Sequence, residues 1–304
     1  MSAQISVDVL CVGHASYDLI FSVPQHPADD EKIVADDLLA CGGGPAANAA
    51  VTVARLGYQA AYAGYLSHDL YGEKHFQELA DEGVDTRCVV RGTLPTPLST
   101  IIVKPDGKRA LINYKGDTKA LAAAAIDFSS IKPKVILFDG HEAHVSLPLA
   151  EQARKQKIPT VLDAGSVHDG TRALMNKVDY LVCSEKFACQ LAGDELTALS
   201  QMALIAPVVV ITLGERGLIW QRGSECGALS AYPINAIDTT GAGDAFHGAF
   251  AAALAAELDW LELLRYASAA GTLCCGKVGA RLGLPTRHEH SALFKKPLDL
   301  ISAN

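Results

Sequence analysis

Residues 238–246 read Asp-Thr-Thr-Gly-Ala-Gly-Asp-Ala-Phe. They follow a hairpin-like segment, Gly217–Pro233, and lead into a proline-free run of small residues, Ala245–Ala256, whose composition predicts a helix. Gly241-Ala242-Gly243-Asp244 is therefore expected to form the first helical turn. The first backbone N–H groups of a helix lack partners within it, and the peptide dipoles add about half a positive charge there. Two glycines let a bulky anion approach that backbone closely. A carboxylate in such a nest repels an anion. Asp244 makes chemical sense as a general base that takes a proton from a hydroxyl while the nest holds the group being transferred. The plain alternative is a first-turn acid that only stabilises the helix dipole.

Outward from this stretch, short apolar runs alternate with helical patterns. Val135–Asp139, Thr160–Asp163, Val178–Cys183 and Val208–Leu213 read as strands, with Pro148–Lys157 and Lys186–Leu191 as helices. The N-terminal part continues the rhythm: strand Val7–Gly13, helix Ala46–Leu56 closed by Gly57, strand Gln59–Leu66 and helix Gly72–Glu82 ended by Gly83. Such alternation means an α/β fold whose mostly parallel sheet is covered on both faces, with ligands at the carboxyl ends of the strands. Segments 14–40 and 94–117 break the pattern. They carry only β-like pieces, Leu19–Val23, Lys32–Ala35, Leu98–Val103 and Arg109–Tyr114, the last two joined by a turn at Asp106-Gly107. These two segments are expected to pair into a small β lid over a core built from 1–13, 41–93 and 118–304.

Composition narrows the function. The 304 residues carry a net charge of −8, which argues against a nucleic-acid partner. Eight cysteines without metal-ligand spacing point to a reducing compartment. No signal-peptide pattern opens the chain and no apolar stretch reaches membrane-spanning length, so a soluble cytoplasmic protein is expected.

The nine residues at 238–246 resemble the C-terminal signature of the ribokinase-like (PfkB) carbohydrate kinase family. The resemblance implies a three-layer α/β/α core with a β-sheet lid, which some relatives use as a dimer clasp, so a homodimer through the lid is an expectation. It implies an ATP-dependent kinase in which Asp244 is the catalytic base and Gly241, Ala242 and Gly243 form the anion hole. Asp18, just past the first strand, is either a surface acid or a bidentate acceptor for two sugar hydroxyls. It looks like the family's first substrate motif, with Ser16 where relatives often have Asn. Gly42-Gly43-Gly44-Pro45-Ala46-Ala47-Asn48 can be a structural turn, a loose dinucleotide fingerprint, or the family's Gly-Gly motif. In the last reading Gly43 and Gly44 lie against the sugar and Asn48 hydrogen-bonds it. Thr212, Gly214 and Gly217 resemble the family's nucleotide-side strand and turn, and Gly279-Ala280 its adenine-side segment. Asp238 and Thr240 match the position where many relatives hold a monovalent cation such as K+. Mg2+ is implied with ATP, but Ser184-Glu185-Lys186-Phe187 keeps little of the family's Asn-x-x-Glu. Gly271–Lys277 has phosphate-loop spacing, yet Val278 replaces the required hydroxyl residue and an apolar helix precedes it, so that reading is rejected.

Gly-Gly-Gly-Pro-Ala-Ala at 42–47, Ile-Asn-Tyr at 112–114 and Phe246-His247-Gly248-Ala249 look closest to the ketohexokinase and sulfofructose kinase branch. Lys32, Asn113 and His141 match substrate positions there, with His141 standing where an Arg is expected. His141 and His144 can equally be solvated loop histidines. The expectation is transfer of the ATP γ-phosphate to a primary hydroxyl of a ketohexose. Kinases of ribose, 2-keto-3-deoxygluconate or a nucleoside on the same fold, and a non-catalytic sugar sensor, are the alternatives.

Overall fold

The computed structural model describes residues 4–105, 108–298 and 300–301. The chain begins with β1 (Ile5–Val12), β2 (Ser16–Ser22) and β3 (Asp37–Gly43), then α1 (Pro45–Arg55), β4 (Ala60–Ser67), α2 (Leu70–Asp81) and β5 (Asp85–Gly92). A hairpin, β6 (Leu98–Val103) and β7 (Arg109–Tyr114), precedes β8 (Ile131–Phe138), α3 (Ala143–Gln156), β9 (Thr160–Ala164), α4 (Asp169–Leu174), β10 (Tyr180–Ser184), α5 (Glu185–Ala192) and α6 (Glu195–Met202). Then come β11 (Val208–Thr212), β12 (Leu218–Arg222), β13 (Glu225–Leu229), α7 (Ala242–Ala255), α8 (Trp260–Cys274), α9 (Ala280–Gly283), α10 (Arg287–Phe294) and β14 (Leu300–Ile301).

Ten strands form one sheet in the order β14-β13-β12-β11-β10-β9-β8-β1-β4-β5. Pairing is parallel from β11 to β5 and antiparallel from β11 to β14. Side chains alternate across it. Val9, Cys11, Val135, Leu137, Val161, Val182 and Val210 pack with α1, α7 and α8. Leu10, Val12, Ile136, Phe138, Leu162, Val209 and Ile211 pack with α3, α5 and α6 on the other face. Each fully buried Val, Leu or Phe contributes about 1.5–3 kcal/mol, so both faces must be covered for the sheet to persist. Chain order reverses between β1 and β8, the switch point at which open α/β sheets bind ligands.

The second sheet has four strands in the order β3-β2-β6-β7. Ile20, Cys41, Ile101 and Val103 form its own small apolar cluster, against which Leu39 and Val278 pack. No strand forms at 32–35. The partner of β2 is instead β3, which runs to Gly43, three residues past the expected boundary at 40. Glycines end this strand because nothing larger fits: a Cβ on Gly42 would lie 2.3 Å from the His75 ring, and one on Gly43 2.2 Å from the Asp18 carboxylate. The turn expected at Asp106-Gly107 lies outside the described residues.

Two further differences stand out. Helix α3 begins at Ala143 rather than at Pro148, which sits in its interior. The buried stripe Val145, Leu149, Ala150, Ala153 holds the helix despite the missing N–H. Helix α6 and edge strand β5 carry no strong pattern in the sequence, since each buries only part of its length.

Candidate active site

Helix α7 opens the site. Gly241, its N-cap, has φ 79°, and a Cβ there would lie 2.5 Å from the Ala280 methyl. Ala242, Gly243 and Asp244 follow as the first turn. A Cβ on Gly243 would meet no atom within 4 Å, so this backbone borders open space. Asp244 is partly exposed. Desolvation pushes its carboxyl up to about 6, and a hydrogen bond from Asn48 opposes this.

That bond runs from Asn48 Nδ2 to Asp244 Oδ2 at 2.8 Å. Asn48 lies at the fourth position of α1, whose axis crosses α7 closely because Gly248 lacks a side chain. A Cβ on Gly248 would lie 2.5 Å from the Ala49 carbonyl. Arg281 Nη2 donates to Asn48 Oδ1 at 3.3 Å, which fixes the amide so that its nitrogen faces Asp244. Arg281 is 4 % exposed, and burial holds its pKa below the usual value. Its Nη2 also lies 3.2 Å from His75 Nε2, and its Nη1 lies 3.7 Å from Glu78. Glu78 in turn accepts from the Gly42 backbone at 2.7 Å.

The small sheet supplies Asp18, which is buried and accepts from Ser16 Oγ at 3.0 Å. Burial raises its carboxyl pKa, with Ser16 and Ser99 hydroxyls opposing. Its negative charge also acts on Asp244, so the two carboxylates lie near enough to repel one another. Asp18 pairs with Ser99, and Ser99 with Asn113. Paired residues share a sheet face, so Asn113 stands on the Asp18 side. Gly44 caps α1 with φ 94°, and a Cβ there would meet the Ala15 Cα at 2.6 Å.

At the switch point Asp139 accepts from the backbones of His14 (2.7 Å), Ala46 (3.3 Å) and His141 (2.9 Å), tying the ends of β1 and β8 to the start of α1. The His141 ring lies between those of His14 (5.1 Å) and His168 (4.7 Å). Burial and the neighbouring His141 hold His14 near about 4, so it is neutral at pH 7. Behind Asp244, the His247 ring meets the Gly243 carbonyl at 2.6 Å and Asp163 at 3.3 Å, and burial pushes the Asp163 carboxyl up to about 8.

Of the residues expected on the nucleotide side, Thr212 ends β11, and Gly214 and Gly217 bound a 3-10 turn with φ 60° and 89°. Gly279 donates its N–H to Asp238 Oδ2 at 2.8 Å and brings Ala280 against Gly241. Asp238 Oδ1 accepts from the Thr240 N–H (2.9 Å) and hydroxyl (2.7 Å). It also accepts from Arg109 Nη1 at 2.9 Å, and the same nitrogen contacts Thr240 Oγ1. The two residues expected to hold a monovalent cation are thus engaged by a guanidinium. A second cation about 4 Å away would meet about 4 kcal/mol of repulsion at an effective dielectric of 20, which offsets its attraction to Asp238, so Arg109 and K+ would compete for one carboxylate.

Lys32 is exposed between β2 and β3, and no contact joins it to another site residue among those described. Glu185 pairs with Arg216 at 2.8 Å. Gly271–Cys274 lies inside α8, as the rejection of a phosphate loop requires. A cavity of about 380 Å³ opens between the small sheet and Ala236, Ile237 and Val278, away from Asp244. Sequence reading missed Arg109, Asp139, Asp163, His247 and Arg281. For Asp139 and Asp163 a signal existed, since each is an acid at the end of an otherwise apolar strand.

The model of the pfkB family carbohydrate kinases matches residues 7–287. The chain belongs to this family. It is an ATP-dependent carbohydrate kinase, and the family works with ATP and Mg2+. This pfkB kinase is 29% identical to the ribokinase of Bacillus subtilis over 291 residues, covering 94% of this chain and 99% of that one. It is 27% identical over 286 residues to an Arabidopsis thaliana protein named "Probable fructokinase-4", covering 83% and 87%. Its fold is similar to the crystal structure of Thermotoga maritima ribokinase, with a TM-score of 0.85, 25% identity and coverage of 95% and 100%. Among the described residues no helix is long and apolar enough to cross a membrane.

Proposed function

We propose that this kinase phosphorylates a primary hydroxyl of a ketohexose, with Asp244 as the base. The observation that carries the mechanism is the Asn48–Asp244 hydrogen bond, which joins the sugar side to the head of the anion-binding helix. In this reading the sugar lies between Asp18, Gly43, Gly44 and Asn48, beneath the small sheet acting as a lid. ATP lies along Thr212, Gly214, Gly217, Gly279 and Ala280. Bound with ATP, Mg2+ would neutralise part of the phosphate charge. Asp244, ionised above about 6, takes the proton of the attacking hydroxyl. The N–H groups of 241–243 stabilise charge on the phosphoryl group in flight.

Support for a ketohexose comes from polar groups on the small sheet and at the switch point. Asn113 in the Asp18 row and the rings of His14, His141 and His168 offer partners for a second hydroxymethyl group. The fructokinase relative agrees with this, while the B. subtilis ribokinase favours ribose as the second reading. An ADP-release assay with fructose, sulfofructose, ribose, 2-keto-3-deoxygluconate and adenosine separates them. Highest kcat/KM on fructose or sulfofructose supports the proposal, and highest kcat/KM on ribose replaces it. Leu38, Ile112 and Tyr114, all more than half exposed on the small sheet, support a homodimer through the lid. Eight cysteines without a disulfide fit a cytoplasmic setting.

A further inference from the structure

Arg109 opens β7, two and four residues before Leu111 and Asn113, and so stands on the sheet face that carries Asp18. Its Nη1 reaches across to the core, to Asp238 Oδ1 at 2.9 Å and to Thr240 Oγ1. Asp238 is 5 % exposed, and its other bonds go to the Thr240 N–H and hydroxyl and the Gly279 N–H. The carboxylate therefore ties three pieces together: the loop before Gly241, the segment carrying Ala280, and the small sheet.

We propose that the Arg109 guanidinium is this kinase's built-in monovalent cation. A free cation at the Asp238–Thr240 corner would do two things: balance the buried carboxylate and fix the loop that orients the N–H groups of 241–243. Arg109 does both. A guanidinium keeps its charge at every working pH, and weak hydration lets it remain paired while one-third of its side chain is exposed. Two consequences follow. Turnover does not depend on added K+, and the anion hole is ordered only when the small sheet is seated on the core. Arg109 acts as a positioning residue, since it touches Asp238 and Thr240 rather than substrate. Because the inference concerns the nucleotide side, it stands or falls independently of which sugar is used.

The test replaces KCl by choline chloride at a constant ionic strength of about 100 mM, so that screening is held fixed. Wild-type rate is expected to change by less than about twofold across the series, whereas Arg109→Ala loses about tenfold in choline and recovers in KCl or guanidinium chloride, less than the loss of about 10²–10³ for removing a donor outright because the N–H groups remain but are less well oriented. Melting temperature with AMP-PNP and Mg2+ gives a readout apart from activity and sugar. K+ should raise it for Arg109→Ala and leave wild type unchanged. Arg109→Lys, which keeps the charge, should respond to K+ less than Arg109→Ala. Wild-type activation by K+ of more than about twofold over choline overturns the proposal, as does an Arg109→Ala variant whose rate and melting temperature ignore K+.

Discussion

Asn48 donates from Nδ2 to Asp244 Oδ2 at 2.8 Å across 196 positions of sequence. The bond exists because α1 and α7 cross closely, and it stabilises the ionised form of a carboxylate that its surroundings otherwise push toward neutrality. Function and stability therefore pull in opposite directions at Asp244, which makes the residue testable in two ways.

Asp244→Asn should lower kcat by about 10²–10⁴ and leave AMP-PNP affinity within about threefold, the range for loss of a general base. It should also raise stability. The folded pKa, about 6, lies above the unfolded value near 3.9, so the native state holds more protons between these limits and stability falls as pH rises through them. Above pH 6 that loss is complete, and the neutral amide recovers about 1–3 kcal/mol. Calorimetric melting at pH 7.5, alongside kinetics, checks both signs. An unchanged rate removes Asp244 as the base.

The pH profile offers a second check. kcat/KM for the sugar should fall about tenfold per pH unit below about 6 as Asp244 takes up a proton. Asn48→Ala removes the donor that favours the ionised form, so the acid limb should move upward. A simple sugar-binding role for Asn48 would raise KM and leave the limb in place.

Arg281→Met tests the amide lock. The guanidinium holds Asn48 Oδ1 at 3.3 Å, and two of its buried nitrogens, Nε and Nη1, have no hydrogen-bond partner. Removing one partner of a buried ion pair is costly, and Met leaves Glu78 and the buried Asp18 without this cation, so about 1–3 kcal/mol of stability should be lost. The expected result is a lower melting temperature, kcat lower by about tenfold, and an acid limb displaced in the same direction as in Asn48→Ala. Double-mutant kinetics on Asn48→Ala with Arg281→Met should be non-additive.

Much of this arrangement was legible in the sequence because it rests on local rules. Helix α7 begins at the glycine-rich turn that small residues and an acid at its third position announce, and each core strand is a short apolar run. What escaped reading depends on distant partners. Strand β3 looks unlike a strand because its last residues are glycines, and they are glycines because His75 and Asp18 occupy the space of their side chains. Arg109 and Arg281 carry no local signal in the sequence. Only the folded chain reveals that one meets Asp238 across 129 positions and the other meets Asn48 across 233.

Two glycines in the same helix, five residues apart, carry opposite expectations. Gly243 has helical backbone and open space where a side chain would be, so Gly243→Ala should stabilise the free enzyme by about 0.5–1 kcal/mol through reduced entropy of the unfolded chain. In the proposed mechanism, however, the new methyl projects from the backbone that approaches the phosphoryl group, so kcat/KM for ATP should drop by about 10²-fold, comparable to the loss of an anion-hole donor. Gly248→Ala meets the Ala49 carbonyl at 2.5 Å and Thr52 Cβ at 2.9 Å, so α1 has to move away from α7. That overpacking should cost about 1–3 kcal/mol and lengthen the Asn48–Asp244 bond, lowering kcat as well. Melting curves distinguish the two variants directly. Gly243→Ala is expected above wild type and Gly248→Ala below it, with both less active. A Gly243→Ala enzyme of full activity would mean that the phosphoryl group does not approach the helix at this point.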